Sequence, residues 1–300
     1  LAGDYSDHGV CLTRLAVLMM ALVGPALATE RWPTLANSAL DEVSGLSRSL
    51  ADPAILWAVN DSGGLPALYR IGLNGEDLGR MDISNAMNWD WEDLASFSHQ
   101  GQPALLIADT GDNESTRDTV TLYAVSDPGR QSKSKLLWKL DFRYEDGPRD
   151  CEAVAVDSVA REIYLLSKRV RPPVLYRLPL PVVTPEQPLI AERLGEVRSL
   201  PVVPAQNFKH QPKYRQYLSM PTAMDFLPDG SGAVVITPKE AYWYRRDKNQ
   251  SWLDALRSQP TVIELPLLRQ TEAGTVSADG RSLFVTTEQR PAPLVRLSLP

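Results

Sequence analysis

The chain has 300 residues, 43% hydrophobic and 23% charged, which excludes a disordered or coiled-coil protein. A net charge of -6 supplies no basic field for gripping nucleic acid, so no nucleic-acid partner is expected. The 24 Pro and 18 Gly punctuate short segments and disfavour a helical bundle, and two Cys exclude a disulfide scaffold.

The first feature in chain order is the apolar run 15–28 (LAVLMMALVGPALA), which follows Arg14 and ends in Ala-Leu-Ala before Thr29. Charge, a short apolar core and then small residues form the pattern of a signal peptide. The run is short for a bilayer span, so no stable membrane span is expected. This reading makes 1–28 upstream residues and leader, and 29–300 a single domain. It predicts a periplasmic or secreted location. Cys151 is then the only cysteine of the mature part, so the domain needs no disulfide.

Five short segments that follow resemble one another. They begin at the anchors Ser44, Glu92, Glu152, Thr222 and Glu272, spaced by 48, 60, 70 and 50 residues. After each anchor comes a second apolar strand: ILWAVND, ALLIADTGDN, EIYLLSKR, GAVVITPKE and SLFVTTEQR. A third strand follows in every repeat (LYRI, LYAV, LYRL, YWYRR, LVRLSL). A fourth follows in the first four (DLGRMDI, LLWKLDF, AERLGEV, TVIELPL). Asp-Gly turns mark the hairpins at 225–236 and 276–285. Four antiparallel strands per repeat predict an all-β, five-bladed β-propeller. Residues 30–40 are expected to supply the strand that the last blade lacks, closing the ring.

In such a ring the first strands line the central channel, and the anchors and second-strand ends collect at one mouth. Three carboxylates and two hydroxyls around one axis repel unless a cation joins them. Oxygen donors without His or Cys suit one axial Ca2+ held by Ser44, Glu92, Glu152, Thr222 and Glu272. The competing reading is a belt of glutamates bonded to neighbouring backbone amides. The second-strand ends add Asn60, Asn113, Lys168, Arg169, Lys239 and Arg290 as candidate binders of an anionic ligand. Asp61, Asp109 and Asp112 are the candidate general bases. Asn88-Trp89-Asp90-Trp91 offers a wall for a ligand or, more commonly, inter-blade packing. Residues 208–217 (FKHQPKYRQY) offer a basic, aromatic loop at the mouth.

The ordered anchors Ser, Glu, Glu, Thr, Glu resemble those of the soluble calcium-activated nucleotidases (apyrases), over roughly 42–300. That resemblance implies a secreted five-bladed propeller with one axial calcium on the anchor residues. It also sets the basic pair Lys168-Arg169 toward phosphates and Asn60-Asp61 at an acidic position. Thr222 stands where that family has Ser, and no base pocket or water-activating residue matches. The SGLS and AVND segments are also similar to those of the SdiA-regulated YjiK-like and the esterase-like phytase-related propellers. Two functions follow as expectations. One is a calcium-binding platform at the cell envelope for a small anionic ligand or an envelope protein. The other is a metal-dependent hydrolase of phosphorylated or other anionic substrates, a lactonase or esterase included.

Overall fold

The computed structural model describes residues 32–200 and 217–300. The leader-like run 15–28 and most of the loop 208–217 therefore lie outside the described residues.

Strands come in successive antiparallel units. The first unit runs β1 (Val43–Arg48), β2 (Ile55–Asn60), β3 (Ala67–Gly72) and β4 (Asp77–Asp82). The second runs β5 (Trp91–His99), β6 (Gln102–Asp109), β7 (Val120–Ser126) and β8 (Leu136–Tyr144). The third runs β9 (Cys151–Asp157), β10 (Glu162–Ser167), β11 (Val174–Pro179) and β12 (Leu189–Glu196). The fourth runs β13 (Ala223–Phe226), β14 (Gly232–Ile236), β15 (Glu240–Arg245) and β16 (Thr261–Glu264). The last has β17 (Thr271–Val276), β18 (Ser282–Thr287) and β19 (Val295–Ser298).

The first strands pack on one another in a closed cycle, β1 on β5, β5 on β9, β9 on β13, β13 on β17 and β17 on β1. The architecture is all-β and propeller-like. The second strands read as unbroken apolar runs because both of their faces are buried. On β2, Ile55, Trp57 and Val59 join a core shared with β5, β6 and β7, including Leu105 and Ile107. The alternate residues Leu56 and Ala58 join another core, shared with Ala273, Phe284 and Leu294. The same division by alternate residues recurs around the cycle, so an apolar core lies between each unit and the next.

The pairing departs from five separate sheets. The second and third units share one eight-stranded sheet, because β8 and β12 pair in parallel through Phe142 with Leu189, Arg143 with Ile190 and Tyr144 with Ala191. β8 is long enough to run past its own hairpin and offer a free edge to β12. The last unit has three strands, and among the described residues the N-terminal segment forms a β-pairing with it only at the bridge between Thr34 and Pro293. Leu35 N donates to Ala292 O at 2.9 Å and Leu294 N to Pro33 O at 2.7 Å. Pro33, Pro291 and Pro293 carry no N–H, so the ladder cannot extend into the full strand expected from 30–40. Leu35 and Leu40 still enter the core between the last unit and the first. One further element was not visible as a repeat, helix α1 (Trp252–Arg257), capped by Ser251 Oγ accepting from Asp254 N. Its Trp252 stacks on Phe226 and donates from Nε1 to Asp157 Oδ2 at 2.9 Å, tying the fourth unit to the third.

The inner strands cannot pair edge to edge around a narrow axis, so side chains take up their amides. Asp93, in β5, accepts from Val154 N at 2.8 Å and from Met224 N at 3.4 Å, linking β9 and β13 across the channel. The residue that follows the anchor is Gly45, Ala153, Ala223 or Ala273 in the other units, which leaves room for this one carboxylate. Burial pushes the Asp93 carboxyl well above the usual range, opposed by its amide donors. Asp225 accepts from Val276 N at 2.9 Å and Thr275 Oγ1 at 2.7 Å, and pairs with Arg48 at 2.6 Å. Asp93→Ala strands three buried amides, those of Leu94, Val154 and Met224, so it is expected to lower stability by about 1–3 kcal/mol or more. A urea melt checks this, and an unmoved midpoint refutes the role.

Candidate functional site

Four of the five anchors are the extra residue of a β-bulge. Val43 pairs with Asn60 and Gly45 with Val59, which leaves Ser44 without an opposite residue. Trp91 and Asp93 pair around Glu92, Cys151 and Ala153 around Glu152, and Thr271 and Ala273 around Glu272. A bulge re-aims its unpaired residue out of the alternation of the strand. Thr222 precedes β13 and donates its N–H to Ile236 O at 2.9 Å. Gly45 is required beside the first bulge, where a Cβ would lie 2.9 Å from the Asp93 carbonyl carbon and the Leu94 nitrogen.

All five anchors line one cavity of about 610 Å³. Asp61, Asn113, Lys168 and Arg169 from the second-strand ends line it too, with Tyr217, Arg269 and Glu288. The hydroxyls are already donors: Ser44 Oγ to Trp91 O at 2.6 Å and Thr222 Oγ1 to Thr271 O at 3.2 Å. No described residue donates to either hydroxyl oxygen. The Lys168 ammonium pairs with Glu152 and lies 3.6 Å from Glu272. Arg169 pairs with Asp150 at 2.6 Å, donates to Asn113 Oδ1, and stands over the Tyr217 ring at 5.7 Å.

Other candidates lie apart from the cavity lining. Asp109 is buried, pairs with Arg117 at 2.8 Å and accepts from Trp89 N and Asp90 N. Asp112 is buried and accepts from Thr116 N and Arg117 N, which shapes a turn. Both carboxylates are engaged in holding the loop after β6. Asn60 donates from Nδ2 to Ala39 O and to Asp41 Oδ1. Lys239 pairs with its neighbour Glu240 at 2.7 Å, and Arg290 donates to Ser38 O at 2.7 Å. Trp91 is fully buried in the core between the first and second units, whereas Trp89 is 66% exposed.

Asp90 and Asp150 are carboxylates the repeat comparison passed over. Each stands two residues before an anchor glutamate, as Asp90-Trp91-Glu92 and Asp150-Cys151-Glu152. That repeated Asp-x-Glu is the sequence signal for them. Carboxylate oxygens of Asp61, Asp90 and Glu92 lie within 4.8 Å of one another, and so do those of Glu92, Asp150 and Glu152. Burial raises Glu92 well above the usual range, with Asp61 adding to it and Lys168 opposing. Burial and then Asp61 push Asp90 up to about 7. Burial, Glu272 and Asp61 push Glu288 up to about 7.

No family model matches the chain, and no curated protein matches it. The resemblance to the calcium-activated nucleotidases therefore rests on the anchor residues alone. Among solved structures, a nidogen/laminin complex aligns with TM-score 0.43 and 14% identity, over 82% of this chain and 72% of that one. The Cps50 (Swd1) β-propeller domain of Myceliophteria thermophila aligns with TM-score 0.42 and 14% identity, over 85% and 66%. The Pan2 WD40 domain of Neurospora crassa aligns with TM-score 0.37 and 10% identity, over 88% and 65%. Scores this low carry no argument about activity. Among the described residues no helix is long and apolar enough to cross a membrane.

The raised carboxyls give the stability a direction with pH. Asp90 and Glu288 hold protons in the fold that the unfolded chain releases near pH 4, so stability falls as pH rises from about 4 toward 7. In EDTA, the melting temperature is expected to drop between pH 5 and pH 8, and less steeply in Asp90→Asn. A flat profile, or an identical slope in the variant, refutes the assignment.

Proposed function

We propose that this chain is a five-bladed propeller whose channel mouth holds a hard divalent cation, Ca2+ by its donor chemistry, and through it an anionic ligand. The observation that carries the reading is the recurrent bulge, which turns Ser44, Glu92, Glu152 and Glu272 into one cavity beside Thr222. A bulge kept at four anchors exists to aim side chains, since the ladder gains nothing from it. The donors are hydroxyl and carboxylate oxygens, and no His or Cys is among the cavity's described lining. Lys168 fits this reading as an internal counter-ion. A cation held by Glu152 and Glu272 would replace the ammonium as their counter-charge, leaving Lys168 to face an anion in the cavity.

The platform is favoured over the hydrolase by the state of the candidate bases. Asp109 and Asp112 are committed to Arg117 and to backbone amides, so of the three candidate bases only Asp61 lines the cavity. A location at the cell envelope rests on the leader-like run 15–28.

The test is thermal melting in EDTA, then with added Ca2+ or Mg2+. A ligand that binds the native state alone stabilises it by about 2.7 kcal/mol at one hundred times its dissociation constant. A calcium-selective rise in Tm is expected, and it is expected to shrink in Glu152→Gln and Glu272→Gln. No rise with either ion, and no metal in the purified protein by elemental analysis, overturns the cation reading.

A further inference from the structure

The carboxylates at the channel mouth fall into two groups by their partners. Glu152 and Glu272 face Lys168, and Asp150 faces Arg169. Asp61, Asp90 and Glu92 face no Lys or Arg within 4.0 Å among the described residues. Glu92 is only 6% exposed, opens into the cavity, and its carboxylate accepts no hydrogen bond from any described residue. A buried, unpaired carboxylate is costly, and two more beside it compound the repulsion.

The backbone opposite this trio is also shaped for it. A Cβ at Gly111 would collide with Glu92 Oε1 and with Asp90 Oδ2. The loop after β6 therefore packs its backbone directly against these two carboxylate oxygens, an approach only glycine allows. Asp61 is held in place by Ser62 N, which donates to Oδ1, and by Asn88 Nδ2, which donates to its carbonyl at 2.8 Å.

We infer that Asp61, Asp90 and Glu92 form a second divalent-cation seat, off the axis, which shares Glu92 with the axial site. The inference builds on the axial reading for the shared ligand, but its own residues are Asp61 and Asp90. Three carboxylate oxygens within 4.8 Å suit a hard cation whose remaining positions are filled by water. Two cations joined by one carboxylate neutralise the mouth and present open positions to an oxyanion, such as a phosphate or a carboxylate ligand.

Calcium stoichiometry, measured by equilibrium dialysis at pH 7.5 on the full chain, tests this. Two Ca2+ per chain are expected. Asp90→Asn is expected to weaken one of them at least tenfold and leave the other, and Gly111→Ala, whose Cβ meets the shared Glu92 as well as Asp90, to weaken the off-axis ion at least tenfold. Gly111→Ala keeps every carboxylate, so its loss cannot come from removed charge. With Mn2+ in place of Ca2+, the doubly loaded protein is expected to show a spin-coupled resonance that Asp90→Asn lacks. Circular dichroism melts of the apo variants confirm that they fold. One ion per chain, unaffected by Asp90→Asn and Gly111→Ala, overturns the second seat, leaves the axial reading standing, and assigns the trio a shared proton. One ion lost in Asp90→Asn but kept in Glu152→Gln supports the seat and overturns the axial reading. No bound ion overturns both.

Discussion

The structure depends on how five inner strands meet around an axis without pairing edge to edge. Each inner strand is hydrogen-bonded on one side, to the second strand of its unit. Its other edge faces the channel, where the amides must find acceptors or water. Asp93 and Asp225 supply acceptors in the interior, and each reaches two other inner strands. Ser44 and Thr222 satisfy carbonyls nearer the mouth. The channel is polar because inner edges must be satisfied.

That constraint also explains the bulges. In a regular strand, alternate residues enter the two inter-unit cores, so none points along the axis. An extra residue at the start of the inner strand breaks the alternation locally and leaves the cores intact. The anchors are released this way, while the flanking Trp91 and Cys151 stay buried in the adjacent cores. Aiming a side chain into the channel and packing the cores are thereby separated within three residues.

Much of the fold was legible because the second strands are apolar on both faces and each ends in polar residues at a constant distance from its anchor. The inner and third strands followed from their spacing. The β8–β12 junction was not legible, since parallel pairing between units depends on strand overhang and not on pattern. Helix α1 was hidden because one short helix interrupts no repeat, although Ser251 and Asp254 carry its capping signal. At the site, the anchors gather in one cavity because they share a repeat position. Asp109 and Asp112 misled because proximity to a strand end does not tell whether a carboxylate faces the channel or its own loop. The partner that decides this, Arg117, lies several residues downstream. Asp90 and Asp150 were passed over because an alternating strand would set them, with their glutamates, among residues of one face. The bulge changes that geometry.

The deciding tension at the mouth is between a built-in cation and an external one. Lys168 pairs with Glu152 and Glu272 and forms no ion pair with Asp61, Asp90 or Glu92. Arg169 is drawn outward to Asp150 and Asn113. The two basic residues thus cover one half of the carboxylate ring and leave the other to Glu92, Asp90 and Asp61. A protein selected only for stability has a simple remedy, an amide at one of these positions, because removing a repelling buried carboxylate costs little. Three carboxylates without an ion-pair partner among the described residues therefore stay close together at the mouth, with Gly111 packed against two of them.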